Sequence, residues 1–451
     1  MARSCAASDI CMRTVNRVNP IRAVSQRFDR RGRQVYREVI RRRLPHGVIH
    51  WRYLRPGRDE RIRLHRRFWW QSRGRWPRIL WGLLEAWLWF RWVSWSGWWA
   101  SARAVRRLGP TVVAEEGIGL RAQYGRVLRL TLAWSISPAD VYRFRLYGRP
   151  HAVADYVFGQ ETQAFHHWRS ASRKVTCESL ALIQDKSALA ESLAGIGIPV
   201  VPTIRCVARG TEAKSLAEPM DGLEEVLCKN RSGSQGRNTF AAWRTKSGLA
   251  GLSFAGQPLN DSRQVERAWR QLLRHDDALI QPRLKNHPAL APVTDGRDAI
   301  TVRFITHWAG EAPVCLDATL EIPAGRDLDG GRARYVVLPL RPENGELLPV
   351  PPEVLLAPSV RARAESLVRN APTDRVPEWG TLVHGSLRAH ACFPDIWAIA
   401  WDWVVTPEGP VLLEGNSGWG TATPQVFHGG FLGAGIGPLG VGIYSASADL
   451  G

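Results

Sequence analysis

Three oxygen-bearing side chains stand out in the apolar stretch IAWDWVVTPEGPVLLEGNSGWG, residues 399–420. Asp402 interrupts one hydrophobic run, Glu414 ends the next, and Asn416 follows two residues later. Brought together, two carboxylates and an amide oxygen make a hard site that suits Mg²⁺, with waters or phosphates completing the shell. A chance pair of exposed acids would read the same way, but a carboxylate in apolar surroundings is costly unless paired or metal-bound. Upstream stand three cations. Lys186 sits in Gln184-Asp185-Lys186, where a solvated helix-start lysine is the ordinary alternative. Lys229 ends a short apolar run and leads into NRSGSQGR, residues 230–237. Ser232, Gly233, Ser234 and Gly236 in that loop would let backbone N–H groups approach phosphate oxygens, with Lys229 as a point charge; a plain surface hairpin loop is the alternative. Neither a P-loop nor a dinucleotide fingerprint is present. Arg303 lies within AITVRFIT, residues 299–306, as a planar donor fork for a transferring phosphoryl group or as half of a surface pair.

These residues need elements to hold them. The 399–420 stretch reads as a hairpin, with strands Ile399–Val405 and Pro410–Leu413 around the turn Thr406-Pro407-Glu408-Gly409. Alternation puts Glu414 and Asn416 on one face, with Asp402 roughly opposite. A helix is expected over Ser187–Ala194, stopped by Gly195 and Gly197, and a strand in the Val/Ile run that follows. Further strands are expected at Glu225–Lys229, Asp277–Gln281 and Ala299–Thr306. Helices are expected at Trp269–His275, Ser359–Val368 and Trp379–His390, with a proline-rich linker over Pro339–Pro358. His384 and His390 read as structural.

Asp-x11-Glu-x-Asn around a Pro/Gly turn resembles the metal-binding hairpin of the ATP-grasp superfamily. The wordings PVLLEGNSG and NHPAL…TVRFIT resemble the branch called sugar-transfer-associated ATP-grasp proteins. The resemblance implies an α+β ATP-grasp fold whose two subdomains close on Mg-ATP. It implies that Lys186 and Lys229 hold nucleotide phosphates, that the glycine loop covers them, and that Gln281 stands in the hinge where adenine is held, at a position often acidic. It further implies that Arg303 faces the γ-phosphate or an acyl phosphate, and that Asp402, Glu414 and Asn416 bind Mg²⁺. The implied activity is an ATP-dependent ligase: a carboxylate of a small molecule or glycan attacks ATP, and an amine or other nucleophile takes the acyl group, in a surface-polysaccharide or related setting. A kinase with a hydroxyl acceptor, or an ATP-binding module without catalysis, stays open. The loop 325–334 and the small-residue stretch 421–451 are expected near the second substrate. The expected division is 1–110 as an extension, 111–180 as a helical lead-in, 181–282 as the nucleotide-binding subdomain and 283–451 as the catalytic one.

Charge is distributed unevenly. Residues 1–110 hold 26 arginines, no lysine and six acids, which equals the whole chain's net +20, so the remaining 341 residues are neutral. The basic pI is therefore no sign of nucleic-acid binding by the catalytic body. Ten tryptophans lie between Trp69 and Trp99. Charges break that run too often for a membrane span, leaving an interfacial or polyanion-binding arm, a helical extension packed on the body, or sequence upstream of the true start. Seven cysteines without a Cys-x-x-Cys pair, and no apolar signal core, are read as a cytoplasmic protein, with the arm at the inner membrane face as an option. The oligomeric state is not legible.

Overall fold

The computed structural model describes residues 36–54, 59–74, 76–211, 215–232, 238–253, 256–294, 299–325, 328–331 and 334–433. Helices dominate the first half: α1 Glu60–Gln71, α2 Arg78–Arg91, a π turn Trp92–Ser96, α3 Gly97–Glu116, α4 Leu120–Trp134, α5 Pro138–Arg143, α6 Thr162–Ser170, α7 Cys177–Gln184 and α8 Lys186–Ala194. Strands β1 Arg205–Val207, β2 Glu225–Asn230, β3 Phe240–Thr245, β4 Gly248–Ser253 and β5 Pro258–Leu259 follow. Then come helix α9 Ser262–His275 and strands β6 Ala278–Pro282, β7 Thr301–Ala309, β8 Ala312–Pro323 and β9 Tyr335–Pro339. The last elements are α10 Pro358–Asn370, α11 Trp379–Ala391, the hairpin β10 Ala398–Thr406 with β11 Gly409–Asn416, and α12 Ala422–His428.

The strands form two separate antiparallel sheets, ordered β1-β6-β2-β3-β4-β5 and β11-β10-β7-β8-β9. Helices and antiparallel sheets segregated in this way make the chain α+β, as expected. Alternation decides what each face does. In the first sheet Val226, Cys228, Ala278 and Ile280 bury against Val265, Trp269 and Leu272 of α9. Their neighbours Leu227, Lys229, Leu279 and Gln281 turn to the other face, with Lys229 opposite Leu279 and Leu227 opposite Gln281. In the second sheet Val302, Phe304, Ala318, Leu320, Ile399, Trp401 and Trp403 bury with residues of α7, α8 and α11. Arg303, Thr319, Glu321 and Asp402 point the opposite way. Gly415 stands beneath Trp401, whose ring lies 2.6 Å from where a Cβ would be, so no larger residue fits there without moving the indole.

One expectation is corrected. The run after Gly197 forms no strand. Pro199 and Pro202 lack the N–H groups a ladder requires, and a single parallel bridge joins Val200 to Leu412, closed by Val201 N–H to Leu412 O at 3.0 Å and Leu412 N–H to Pro199 O at 2.9 Å. Helices α7 and α8 bury Ile183, Leu189 and Leu193 in the second sheet's core. The boundary placed at 110/111 falls inside α3.

The N-terminal helices are fitted to the body by buried polar contacts as well as by apolar ones. Phe68 of α1 is fully buried edge-on to Phe165 of α6. Next to it His65, fully buried, meets Glu161 at 3.0 Å and the Ala154 carbonyl at 3.1 Å. Glu85 of α2 is equally interior and accepts from His46 and from Trp69 Nε1, each at 2.6 Å. Among the described residues no helix is long and apolar enough to cross a membrane.

Candidate active site

The hairpin is longer than its sequence pattern indicates. β11 continues through Glu414 to Asn416, and the turn narrows to Pro407-Glu408 between the paired Thr406 and Gly409. Asp402 pairs directly with Glu414, whereas Trp403 pairs with Leu412, so Leu413 is an extra residue, a β-bulge. Leu412 and Glu414 would share a face on a regular strand. The bulge lets Leu412 enter the core beside Trp403 while Glu414 joins Asp402 on the open face. Asn416 Nδ2 sits 3.3 Å from both Asp402 Oδ2 and Glu414 Oε1, completing the expected trio.

Arg303, across from Asp402 on β7, commits its guanidinium to carboxylates. Nε and Nη2 fork onto the two Asp402 oxygens at 2.8 and 3.0 Å, and Nη1 reaches Glu321 of β8 at 2.9 Å. Three of its five N–H groups are used in this way. In this conformation Arg303 fastens the Asp402 carboxylate in place. Burial pushes the Asp402 carboxyl upward against the opposing pull of Arg303, with Glu414 raising it further. Burial likewise raises Glu321, which Arg303 partly offsets. Burial pulls the Arg303 guanidinium down, but Asp402 and Glu321 outweigh it and hold it well above its ordinary value.

The two lysines arrive from different sheets. Lys186 rides on α8, against the second sheet, and places Nζ 3.4 Å from Glu414 Oε2. Asp185 caps that helix by accepting from Ser187 and Ala188 N–H, and is gripped by Arg231 at 2.8–3.0 Å. The start of α8 is thereby tied to the loop that follows β2. Lys229 projects from the first sheet. Burial draws its ammonium down to about 8, with Glu414 and Asp402 pulling upward and Lys186 pushing down, so all four groups share one field. Gln281, on the same sheet face, is 1% exposed. Its Nε2 contacts Thr203 Oγ1 at 3.4 Å, while its Oε1 has no partner among the described residues. A buried acceptor left unmatched fits a ligand that brings an N–H.

Ser232 is anchored to the end of the first sheet. Its N–H and hydroxyl both donate to Asp276, at 2.7 and 2.6 Å, which holds it at the strand end of the loop. Gly233, Ser234 and Gly236 lie outside the described residues. Glu321, Asp185 and Arg231 are the site residues that sequence reasoning missed. Asp317, Thr319 and Glu321 alternate with apolar residues along β8, and that pattern was the available signal. Asp317 receives His428 Nε2 of α12 at 2.9 Å. A cavity of about 250 Å³ lies beside β9 and α12, lined by Tyr335, Val337, Leu355, Ala422, Val426 and Phe427 among others. Part of the 421–451 stretch therefore forms a wall, while 434–451 falls outside the described residues.

The donor set fits a hard divalent cation in kind: two facing carboxylates and an amide that can present its oxygen. Among the described residues there is no cluster of three or more His, Cys, Asp or Glu side chains placed for a metal. Protein oxygens alone therefore do not fill a shell, and phosphates would have to complete it.

No family model matches this chain, and no curated protein matches it. Among solved structures it is similar to a D-alanine–D-alanine ligase from Coxiella burnetii, at 14% identity and a TM-score of 0.29 over 55% of this chain and 52% of that one. It is also similar to the VanG D-Ala:D-Ser ligase from Enterococcus faecalis, at 11% and 0.33 over 54% and 55%. A third is the N5-carboxyaminoimidazole ribonucleotide synthetase from Thermotoga maritima, at 12% and 0.28 over 53% and 43%. The chain thus spans about half the length of these structures, and overlap of this extent leaves its activity to be argued from its own residues.

Proposed function

We propose that this chain is an ATP-dependent ligase of the ATP-grasp type, which activates a carboxylate for attack by an amine or similar nucleophile. The observation that carries the reading is the convergence of Lys186, 3.4 Å from Glu414, with the paired Asp402 and Glu414 of one sheet and the buried Lys229 of the other, whose ammonium feels all three. Acids and cations in that arrangement match a polyphosphate with its metal ion. Lys186 and Lys229 hold phosphate oxygens. Gln281 Oε1 accepts from the adenine amine. Mg²⁺ held by Asp402, Glu414 and Asn416 would neutralise charge on the phosphates. Arg303 keeps Asp402 ionised and aimed, and its remaining N–H groups face the transferring group. Positioning and charge neutralisation are the protein's share of such a reaction.

The test is to incubate the full chain with Mg-ATP and pooled carboxylates, amines and sugars, and to identify the products. ADP and free phosphate, dependent on both a carboxylate and an amine, are expected. ADP with a phosphorylated sugar would instead make it a kinase, saturable binding without turnover an ATP-binding module, and absent binding would overturn the reading.

Lys229 adds a pH signature. It is charged below about 8 and neutral above. Affinity for a non-hydrolysable ATP analogue should therefore fall by up to tenfold for each pH unit above 8. Titration calorimetry giving a flat profile up to pH 10 would remove Lys229 from the phosphate contacts.

A further inference from the structure

Helix α2 is inverted relative to a helix facing water. Its carboxylate, Glu85, is interior, while Ile79, Leu80, Leu83, Trp87 and Phe90 are exposed. At 100° per residue these five fall in one stripe about 100° wide. The opposite stripe, Trp81, Leu84 and Leu88, fills a small core of its own. The helix is thus apolar on both sides, and only one side has protein against it. The π turn Trp92–Ser96 adds one residue to the winding. That rotation carries Trp95, Trp98 and Trp99 onto the same side, where they are 66%, 45% and 69% exposed. The face from Ile79 to Trp99 is therefore continuous for ~30 Å of helix. Exposed apolar area on this scale marks an interaction surface.

Charge selects the partner. Arg78 at one end and Arg103, Arg106 and Arg107 at the other are exposed. The 35 residues before Tyr36 add eight arginines against two acids. An aromatic and aliphatic stripe bracketed by arginines matches an anionic bilayer surface, where indoles settle at headgroup depth and guanidinium groups meet phosphates. A second copy fits less well, because a two-fold pairing of this face would set its own arginines against one another.

We propose that the α2–α3 face docks this protein on the surface of an anionic membrane, lying in the interface without crossing it. The inference rests on the helices alone and stands or falls independently of the ligase reading.

The experiment is flotation of the full chain with vesicles of phosphatidylcholine alone or with phosphatidylglycerol added, compared with the triple variant Leu83→Ser, Trp95→Ser, Trp99→Ser. The wild type is expected to float with the anionic vesicles, less so as salt rises. The triple variant should bind on the order of a hundredfold more weakly while melting at the wild-type temperature. If that variant does not fold, Arg103→Gln with Arg106→Gln and Arg107→Gln serves instead, and should erase the preference for anionic over neutral vesicles. Absent flotation, or variants that bind like the wild type, would overturn the proposal. So would a concentration-dependent dimer, or a stable complex with another protein, that the serine variant disperses.

Discussion

Arg303→Met should destabilise the chain by about 1–3 kcal/mol at neutral pH, less than the about 3–5 kcal/mol typical of breaking a fully buried ion pair, because the Arg303 side chain is 35% exposed and solvent screens it. Two acids depend on this side chain: Asp402, 5% exposed, and Glu321, whose side chain is 13% exposed. Without the guanidinium both carboxylates stay in a poorly hydrated place, and they repel each other. Their affinity for protons then rises further in the direction burial already drives it. The sign of the pH effect follows. In the variant the folded acids hold protons more tightly than the unfolded ones, so lowering the pH stabilises the folded state and the deficit shrinks. Arg303→Lys keeps a charge but loses the fork, and should fall between the two. Denaturant melts at pH 7 and pH 5 would show the pattern. An unchanged midpoint for Arg303→Met would mean that Asp402 and Glu321 do not depend on Arg303.

Glu414→Gln should behave in the opposite manner, with the fold kept and turnover lost. Its side chain is 25% exposed and its lysine stands at 3.4 Å, so the pairing contributes at most about 1 kcal/mol to stability. Function is another matter. The change removes a negative charge from the pair facing Asp402 and releases Lys186 from its partner. Removing one preorganised electrostatic group from a site of this kind typically lowers kcat by about 10²–10³-fold. The product assay given for the full chain reads this directly. A Glu414→Gln variant with wild-type turnover would take the carboxylate out of the reaction and with it the metal reading.

Much of this was legible in the sequence because it depends on local chemistry. That Asp402 and Glu414 come close follows from alternation and a Pro/Gly turn, whereas their direct pairing depends on the bulge at Leu413, which has no local signal. The strand ending in Lys229 and the helix opened by Lys186 follow from apolar runs and stop signals. The parts that were not legible are long-range. Nothing in Ser187–Ala194 says on which sheet the helix rests, yet that decides whether Lys186 meets Glu414. Arg303 reads as a donor for substrate until two acids from neighbouring strands claim it, one of them 18 residues on, across a hairpin. The Val/Ile run at 198–202 has strand composition, but its prolines leave it a single bridge. In the arginine-rich quarter, composition did not distinguish an arm from a packed helix. His65 with Glu161, and Glu85 with His46 and Trp69, are contacts between residues too far apart in the chain to read as pairs.

The bulge at Leu413 also fixes what the hairpin can tolerate by way of change. The extra residue at 413 supplies length between Leu412 and Glu414. Length itself is decisive. With one residue fewer, the register that seats Trp403 against Leu412 and the register that sets Glu414 beside Asp402 could not both hold. One of them would have to be surrendered, either a leucine lifted out of the core or an acid driven into it. The hairpin therefore does not accept insertion or deletion at this point, and its spacing behaves as a reading frame in three dimensions.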